Sequence, residues 1–295
     1  MVVMRGWWQD LTDLVLPAEC GGCGRPRTVL CPECRAALTG AAPRRVRPVP
    51  EPCGLPVVHA AAPYEDEVRA ALLAHKERGA LALAAPLGAA LAGAVRVGPG
   101  CARRAGPGAR HTAPQGRLRS GKGQTCDAGA GPLLLVPVPS SRRAVRARGH
   151  DPVRRIALAA AGELRRTGTP ARVAAVLRQR RAVADQSGLD SRQRLDNLAG
   201  ALEVAAKGAR LLVDGGPVVL VDDLMTTGAS LAEAARAVRV ARSAVRQVGE
   251  EEDGADLTEV IRRMAGRGEV VDGRPDTTCA AVIAASPDAF EINRN

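Results

Sequence analysis

VVLVDDLMTTGAS, residues 218–230, is the stretch whose reading decides the fold. Four consecutive apolar residues, Val218 to Val221, make the continuous pattern of a strand buried on both faces, as in a parallel sheet. Its carboxyl end delivers Asp222 and Asp223. Thr226, Thr227, Gly228, Ala229 and Ser230 then open a helix predicted to run from Ser230 to about Arg242. In open α/β sheets ligands bind beyond the carboxyl ends of the strands. The backbone N–H groups of such a loop, its hydroxyls and the positive end of the helix suit a phosphate monoester, and Gly228 lets the backbone approach it. Two adjacent carboxylates accept hydrogen bonds from vicinal hydroxyls, or help to hold a hydrated divalent cation. Phosphate and diol together describe a ribose 5-phosphate. The plainer reading, two acids capping a helix before an ordinary turn, leaves like charges at a strand end with nothing to offset them.

Outward from this stretch, strands alternate with helices. VVHAAAPY from Val57 reads as a strand, EDEVRAALLAHKERG as a helix ending at Gly79, and LALAAPLGAALAGAV as an apolar helix in which Pro86 marks a start or a kink. PLLLVPVPSS is a second buried strand, DPVRRIALAAAGELRRTG a helix, ARVAAVL a short strand, and TCAAVIAAS a last strand. Alternation of this kind predicts an α/β fold with a parallel sheet. Val97 to Gly131 carries nine Gly and three Pro with hardly an aliphatic side chain, and is expected to be a disordered linker. Ser243 to Thr278, with the acidic run Glu250 to Asp253, reads as an insertion at a sheet edge.

CGGCGRPRTVLCPEC sets Cys20, Cys23, Cys31 and Cys34 as two C-x-x-C knuckles, the ligand set of a closed structural Zn²⁺ site. Cys53, Cys279 and His59 have no partner at ligand spacing and are expected to be packing residues. Trp7, Trp8, Leu11, Leu14 and Val15 recur at helical spacing before Pro17, predicting a short helix docked on the protein's own core.

Composition narrows the function classes. The 295-residue chain has 46% hydrophobic residues, enough for a sizeable core, and only four aromatic residues, Trp7, Trp8, Tyr64 and Phe290, so stacking on nucleic-acid bases is almost closed to it. The formal net charge of +11 would suggest anionic partners. Only Lys76, Lys122 and Lys207 among the 42 basic residues are lysines, however, which points to composition bias, and the Gly-rich stretch holds much of the excess. No membrane span and no signal peptide are expected, which places the chain in the cytoplasm and favours metal ligation over disulfides for the clustered cysteines.

The segment VDDLMTTGAS resembles the phosphoribosyl-diphosphate motif of type I phosphoribosyltransferases. By that resemblance Asp222 and Asp223 take the ribose hydroxyls, and Thr226, Thr227, Gly228, Ala229 and Ser230 the 5-phosphate. Thr226 stands where the hypoxanthine-guanine branch has an acid, so a 6-oxopurine acceptor is disfavoured. LLLVPVPSSRRAVRARGHD resembles the first strand and pyrophosphate loop, with Pro139, Ser140 and Ser141 offering backbone amides and Arg142, Arg146 or Arg148 adding charge. RQRRAVADQSGLDSRQRLDNLAGAL resembles the mobile loop over the active site, with Arg178, Asp185, Gln186, Arg194 and Asn197 as candidates. VPVPSSRRAVRARG, QSGLDSRQRLDNLAGA and VDDLMTTGAS behind a four-cysteine finger resemble the ComF-like proteins in particular, and Lys76 in HKERG matches a lysine typical of that family's first lobe.

The organisation this implies is a helix plus zinc finger over 1–45, an amino-terminal lobe over 46–96, the linker over 97–131, and a phosphoribosyltransferase-like core over 132–295 carrying the insertion at 243–278. The resemblance implies transfer of a ribosyl phosphate from Mg²⁺-bound phosphoribosyl diphosphate to an acceptor, with release of pyrophosphate. Two alternatives stand beside it. One is a non-catalytic factor supporting natural transformation, with single-stranded DNA or the DNA-uptake machinery as partner; the other is a nucleic-acid module built on the finger. Neither the acceptor nor an oligomer interface is legible in the sequence.

Overall fold

The computed structural model describes residues 19–104, 131–181, 197–250, 256–267 and 278–293. The fold is α/β, with a mostly parallel six-stranded sheet and a four-cysteine cluster towards the amino terminus. The strands are β1 (Arg44–Val46), β2 (Val57–Pro63), β3 (Leu133–Pro137), β4 (Ala171–Val173), β5 (Leu177–Gln179), β6 (Leu202–Val204), β7 (Val218–Met225) and β8 (Cys279–Ala285). The sheet order is β1-β2-β8-β7-β3-β4; β1 is antiparallel to β2 and all other neighbours are parallel. β5 and β6 form a separate antiparallel pair.

Helices α1 (Pro32–Thr39), α2 (Asp66–Glu77), α3 (Ala84–Arg104), α4 (Arg142–Arg148), α5 (Pro152–Arg166), α6 (Ala206–Ala209), α7 (Leu211–Asp214), α8 (Ala229–Glu250) and α9 (Leu257–Arg267) cover the sheet. Strand side chains alternate between two cores, as a period of two requires. Leu135, Val219, Val221, Ala281 and Ile283 meet α1, α2, α3 and α5 on one face. Leu134, Val136, Val218, Leu220, Ala280 and Val282 meet α8 and α9 on the other.

Several expectations need correction. ARVAAVL is two strands, because β4 stays in the main sheet while β5 turns away to pair with β6. The Pro/Arg connector contains β1, which crosses the boundary drawn at residue 45. α3 continues to Arg104, past the Val97 at which the linker was expected to begin. α8 runs through Ser243, with Ala244 fully buried, and β8 lies between β2 and β7, so 243–278 belongs to a crossover between two central strands and not to a sheet edge. Val260 and Ile261 of α9 are buried in the same core as α8, which is why this crossover is part of the fold. His59 and Cys279 are buried as expected, but Cys53 is exposed. The helix expected at Trp7 to Val15 and most of the Gly-rich stretch lie outside the described residues.

The window Leu81–Gly98 is long and apolar enough to cross a membrane by composition, yet 61% of it is buried inside the fold. Its role is packing. With so few aromatic residues the core is filled by Ala, Leu and Val, and small side chains let α3 and α5 approach closely: a Cβ added at Gly88 would sit 2.5 Å from Ala159 Cβ and 2.8 Å from the Ala160 backbone nitrogen. Gly162, on α5 as well, faces open space. The two glycines therefore predict opposite outcomes. Gly88→Val should wedge the helices apart and cost about 2–3 kcal/mol in denaturant unfolding, while Gly162→Ala should gain about 0.5–1 kcal/mol from helix propensity.

Candidate functional site

Asp222 and Asp223 sit near the carboxyl end of β7, between β3 and β8, where a buried strand leaves the sheet. Successive strand residues face opposite ways, so the pair straddles the sheet. Asp223 is 6% exposed and turns towards α2, where Lys76 Nζ lies 3.3 Å from its Oδ2. Asp222 is half-buried, and its Oδ1 accepts a 2.9 Å hydrogen bond from the Asp223 backbone N–H. Desolvation, and next the charge of Asp223, push the Asp222 carboxyl well above its ordinary value. The adjoining backbone N–H and Lys76 pull the other way without winning. The charge of Asp223 raises the Lys76 ammonium in turn, against the opposing effect of burial.

Two sequence-remote segments, the loop after β3 and the end of α2, meet β7 at this pair. β3 lies beside β7, with Pro137 opposite Val221, and the Val138 N–H donates to the Val221 carbonyl at 2.9 Å. Pro139, Ser140 and Ser141 therefore leave β3 beside the acids. Ser141 caps α4, its Oγ accepting from the Ala144 N–H at 3.1 Å. Arg142 and Arg146 on α4 are exposed and have no ion-pair partner among the described residues. Arg148 is differently placed: it makes a two-pronged contact with Glu77, at 3.1 and 2.8 Å. The end of α2 thus holds an acid of β7 through Lys76 and an arginine of α4 through Glu77.

On the far side, Thr226 to Gly228 turn the chain into α8. Gly228 has φ +75°, a left-handed conformation that side chains disfavour, and a Cβ there would lie 3.1 Å from Leu55. Ala229 and Ser230 form the first turn of α8. Backbone amides at this end are the natural donors to an anion.

Arg178 is not beside the acids. It lies on β5, its Nε 2.8 Å from Glu203 on β6, and lines another cleft. Asp185, Gln186 and Arg194 lie outside the described residues. Sequence reading missed Glu77, which nothing in HKERG distinguishes from a solvated acid. It also missed the contact of His75 with His150, whose rings meet edge-on with centroids 5.8 Å apart and tie the end of α2 to the turn before α5. Burial lowers the His75 pKa.

The four cysteines form a second centre. Their sulfurs all lie within 4.8 Å of one another, and a tetrahedral ion with bonds of ~2.3 Å holds its sulfurs ~3.8 Å apart. Cys31 caps α1, its Sγ accepting from the Cys34 N–H, and the Cys31 N–H donates to Cys20 Sγ at 3.3 Å. At Cys20 burial opposes ionisation, yet the N–H groups of Cys23, Cys31 and Gly22 outweigh it and draw the thiol down to about 6. The donor set and spacing suit a metal such as zinc. No family model and no curated protein matches the chain.

The raised Asp222 carboxyl has a stability consequence with a definite sign. The folded state holds that proton more tightly than the unfolded chain, so its contribution is full below the ordinary pKa of 3.8 and is lost as pH rises through the elevated folded value. Asp222→Asn should therefore raise stability at pH 7 by about 1 kcal/mol, with the gap closing towards pH 4 in thermal melts. Lys76→Met should do the opposite, costing about 1–2 kcal/mol at pH 7, because the Asp223 charge is left without its partner.

Proposed function

We propose that the chain is a phosphoribosyltransferase-like protein of the ComF type that binds Mg²⁺-phosphoribosyl diphosphate. The observation that carries this reading is the convergence of the 138–141 loop, Lys76 and the Thr226–Ser230 turn on one pair of carboxylates. The ligand asks for a diol acceptor, an anion cradle for the 5-phosphate and cationic cover for the diphosphate; the carboxylate pair, the Thr226–Ser230 turn and the segment after β3 would supply them respectively. Asp222 and Asp223 would accept the ribose hydroxyls, Lys76 yielding part of its hold on Asp223. The amides and hydroxyls of Thr226, Thr227, Gly228, Ala229 and Ser230 would hold the 5-phosphate. Ser140 and Ser141, with Arg142 and Arg146, would meet the diphosphate, whose Mg²⁺ offsets charge on the leaving group. Arg148 would act one step back by keeping Glu77, and with it the end of α2, in place.

In the transfer itself an acceptor lone pair forms the new bond to C1 of the ribose as the C1–O bond to pyrophosphate breaks and its electrons leave with the diphosphate. The acceptor's proton must go elsewhere. Thr226 cannot take it at neutral pH. That residue favours a second reading, a ligand-binding factor without turnover, in keeping with the family's association with DNA uptake.

Calorimetric titration of phosphoribosyl diphosphate with Mg²⁺ tests the first reading. Wild type should bind, and the Asp222→Asn/Asp223→Asn double variant should bind at least tenfold more weakly; equal heats would refute the assignment. Pyrophosphate release with a nitrogenous acceptor separates enzyme from factor. For the finger we propose a structural Zn²⁺ held by Cys20, Cys23, Cys31 and Cys34. The purified protein should release one equivalent of zinc when its thiols are blocked, and the Cys34→Ser variant should release none.

A further inference from the structure

We infer that the cleft between the β5–β6 pair and α9 is a second anion site, distinct from the carboxylate pair, that takes a small phosphate-bearing ligand without a metal ion. The cleft has a volume of about 230 Å³, and its lining includes Arg178, Arg180, Glu203, Thr258, Ile261 and Arg262. None of the residues around Asp222 belongs to it.

Its charge is unbalanced. Three guanidinium groups share the cleft with one carboxylate, and Glu203 is engaged through the Nε of Arg178, directly opposite it in the strand register. That leaves the terminal nitrogens of Arg178 for another acceptor. Arg180, just past the end of β5, lines the same cleft, and its side chain has no hydrogen-bond or ion-pair partner among the described residues. Arg262 reaches in from α9, paired only with the exposed Glu259 on its own helix. Cations brought together around one cavity with a single acid favour an anion in it, and guanidinium forks match phosphate oxygens. The Thr258 hydroxyl adds an uncharged donor.

Size and composition fix the class. The volume falls below the ~300–1,000 Å³ of pockets for drug-sized ligands, so it suits pyrophosphate or a small sugar phosphate and not a dinucleotide. With one carboxylate, already paired, the cleft lacks the oxygen donors that a bound divalent cation requires. The site also has a route to the rest of the fold. Leu202, next to Glu203, is held at both backbone groups by α8: its N–H donates to Glu233 Oε1 at 2.9 Å and its carbonyl accepts from Arg236 at 3.0 Å. α8 is the helix that the Thr226–Ser230 turn opens.

The probe is inorganic pyrophosphate, titrated calorimetrically into the full chain in magnesium-free buffer. Wild type should show saturable binding that Arg180→Ala/Arg262→Ala weakens at least tenfold. Arg69→Ala/Arg154→Ala, which removes the same charge from exposed positions on α2 and α5, should bind as wild type does. Pyrophosphate affinity should also persist in Arg142→Ala/Arg146→Ala, which strips the diphosphate contacts proposed for the first site, so this site stands or falls separately from the phosphoribosyl diphosphate assignment. Equal affinities for wild type and Arg180→Ala/Arg262→Ala, an equal loss in Arg69→Ala/Arg154→Ala, or no saturable binding to wild type would each overturn the inference.

Discussion

Two carboxylates on consecutive residues near the end of a buried strand are an electrostatic burden, and much of the neighbourhood is arranged around it. Burial disfavours the charged form of Asp222, and repulsion from Asp223 adds to the cost. The fold answers asymmetrically. Asp223, the more buried, is paired with Lys76, while Asp222 has a neighbouring backbone N–H but no ion-pair partner among the described residues, and burial raises its pKa. A pair left in that condition is poised for whatever brings hydrogen-bond donors or positive charge to Asp222. This is a physical reason to place a ligand there that does not depend on the resemblance of the sequence.

That arrangement depends on the sheet order. β7 lies between β3 and β8, so its acids emerge where neighbouring strands also end, and parallel pairing puts the loops after β3 and β7 on the same edge. An antiparallel neighbour would have sent its loop to the opposite edge. The cost of a parallel sheet is that both faces must be covered, and this chain covers them almost without aromatic residues. Alanine and glycine bring α3 and α5 within contact distance, a close-packed solution that leaves little tolerance for added volume.

The central strands were legible because a run such as LLLVPVP or VVLVDDL has no amphipathic alternative, and the capping and glycine signals bounded α2 and α5 closely. The motif around Asp222 was legible for the same reason: its chemistry is local. What could not be read was anything set by distant partners. ARVAAVL has one apolar pattern, and only the pairing of Leu177 with Val204 and of Ala171 with Leu133 divides it in two. Ser243 looked like a boundary because acids follow it, but burial of Ala244 and Val260 carries α8 and α9 into the core. Glu77 is invisible as a site residue until Arg148, 71 residues away, reaches it.

The cysteine cluster is joined to the same end of the molecule. Cys20, Cys31 and Cys34 are buried in one continuous core with Leu38, Val68, Ala71, Leu72 and Leu83, so the finger packs directly on α2 and the turn after it. Gly21 and Gly22 are small for this reason: a Cβ on the first would meet Leu83 at 2.5 Å, and on the second Cys34 Sγ at 2.7 Å. α2 then ends in His75, Lys76 and Glu77, which touch His150, Asp223 and Arg148 respectively. A shift of α2 by a fraction of the 3.3 Å that separates Lys76 from Asp223 would weaken that ion pair and, by drawing the Lys76 charge away, raise the proton affinity of Asp222. Rigidity of the four-cysteine cluster is thereby a condition on the charge state of the candidate site, and the finger serves as the footing of the helix that sets it.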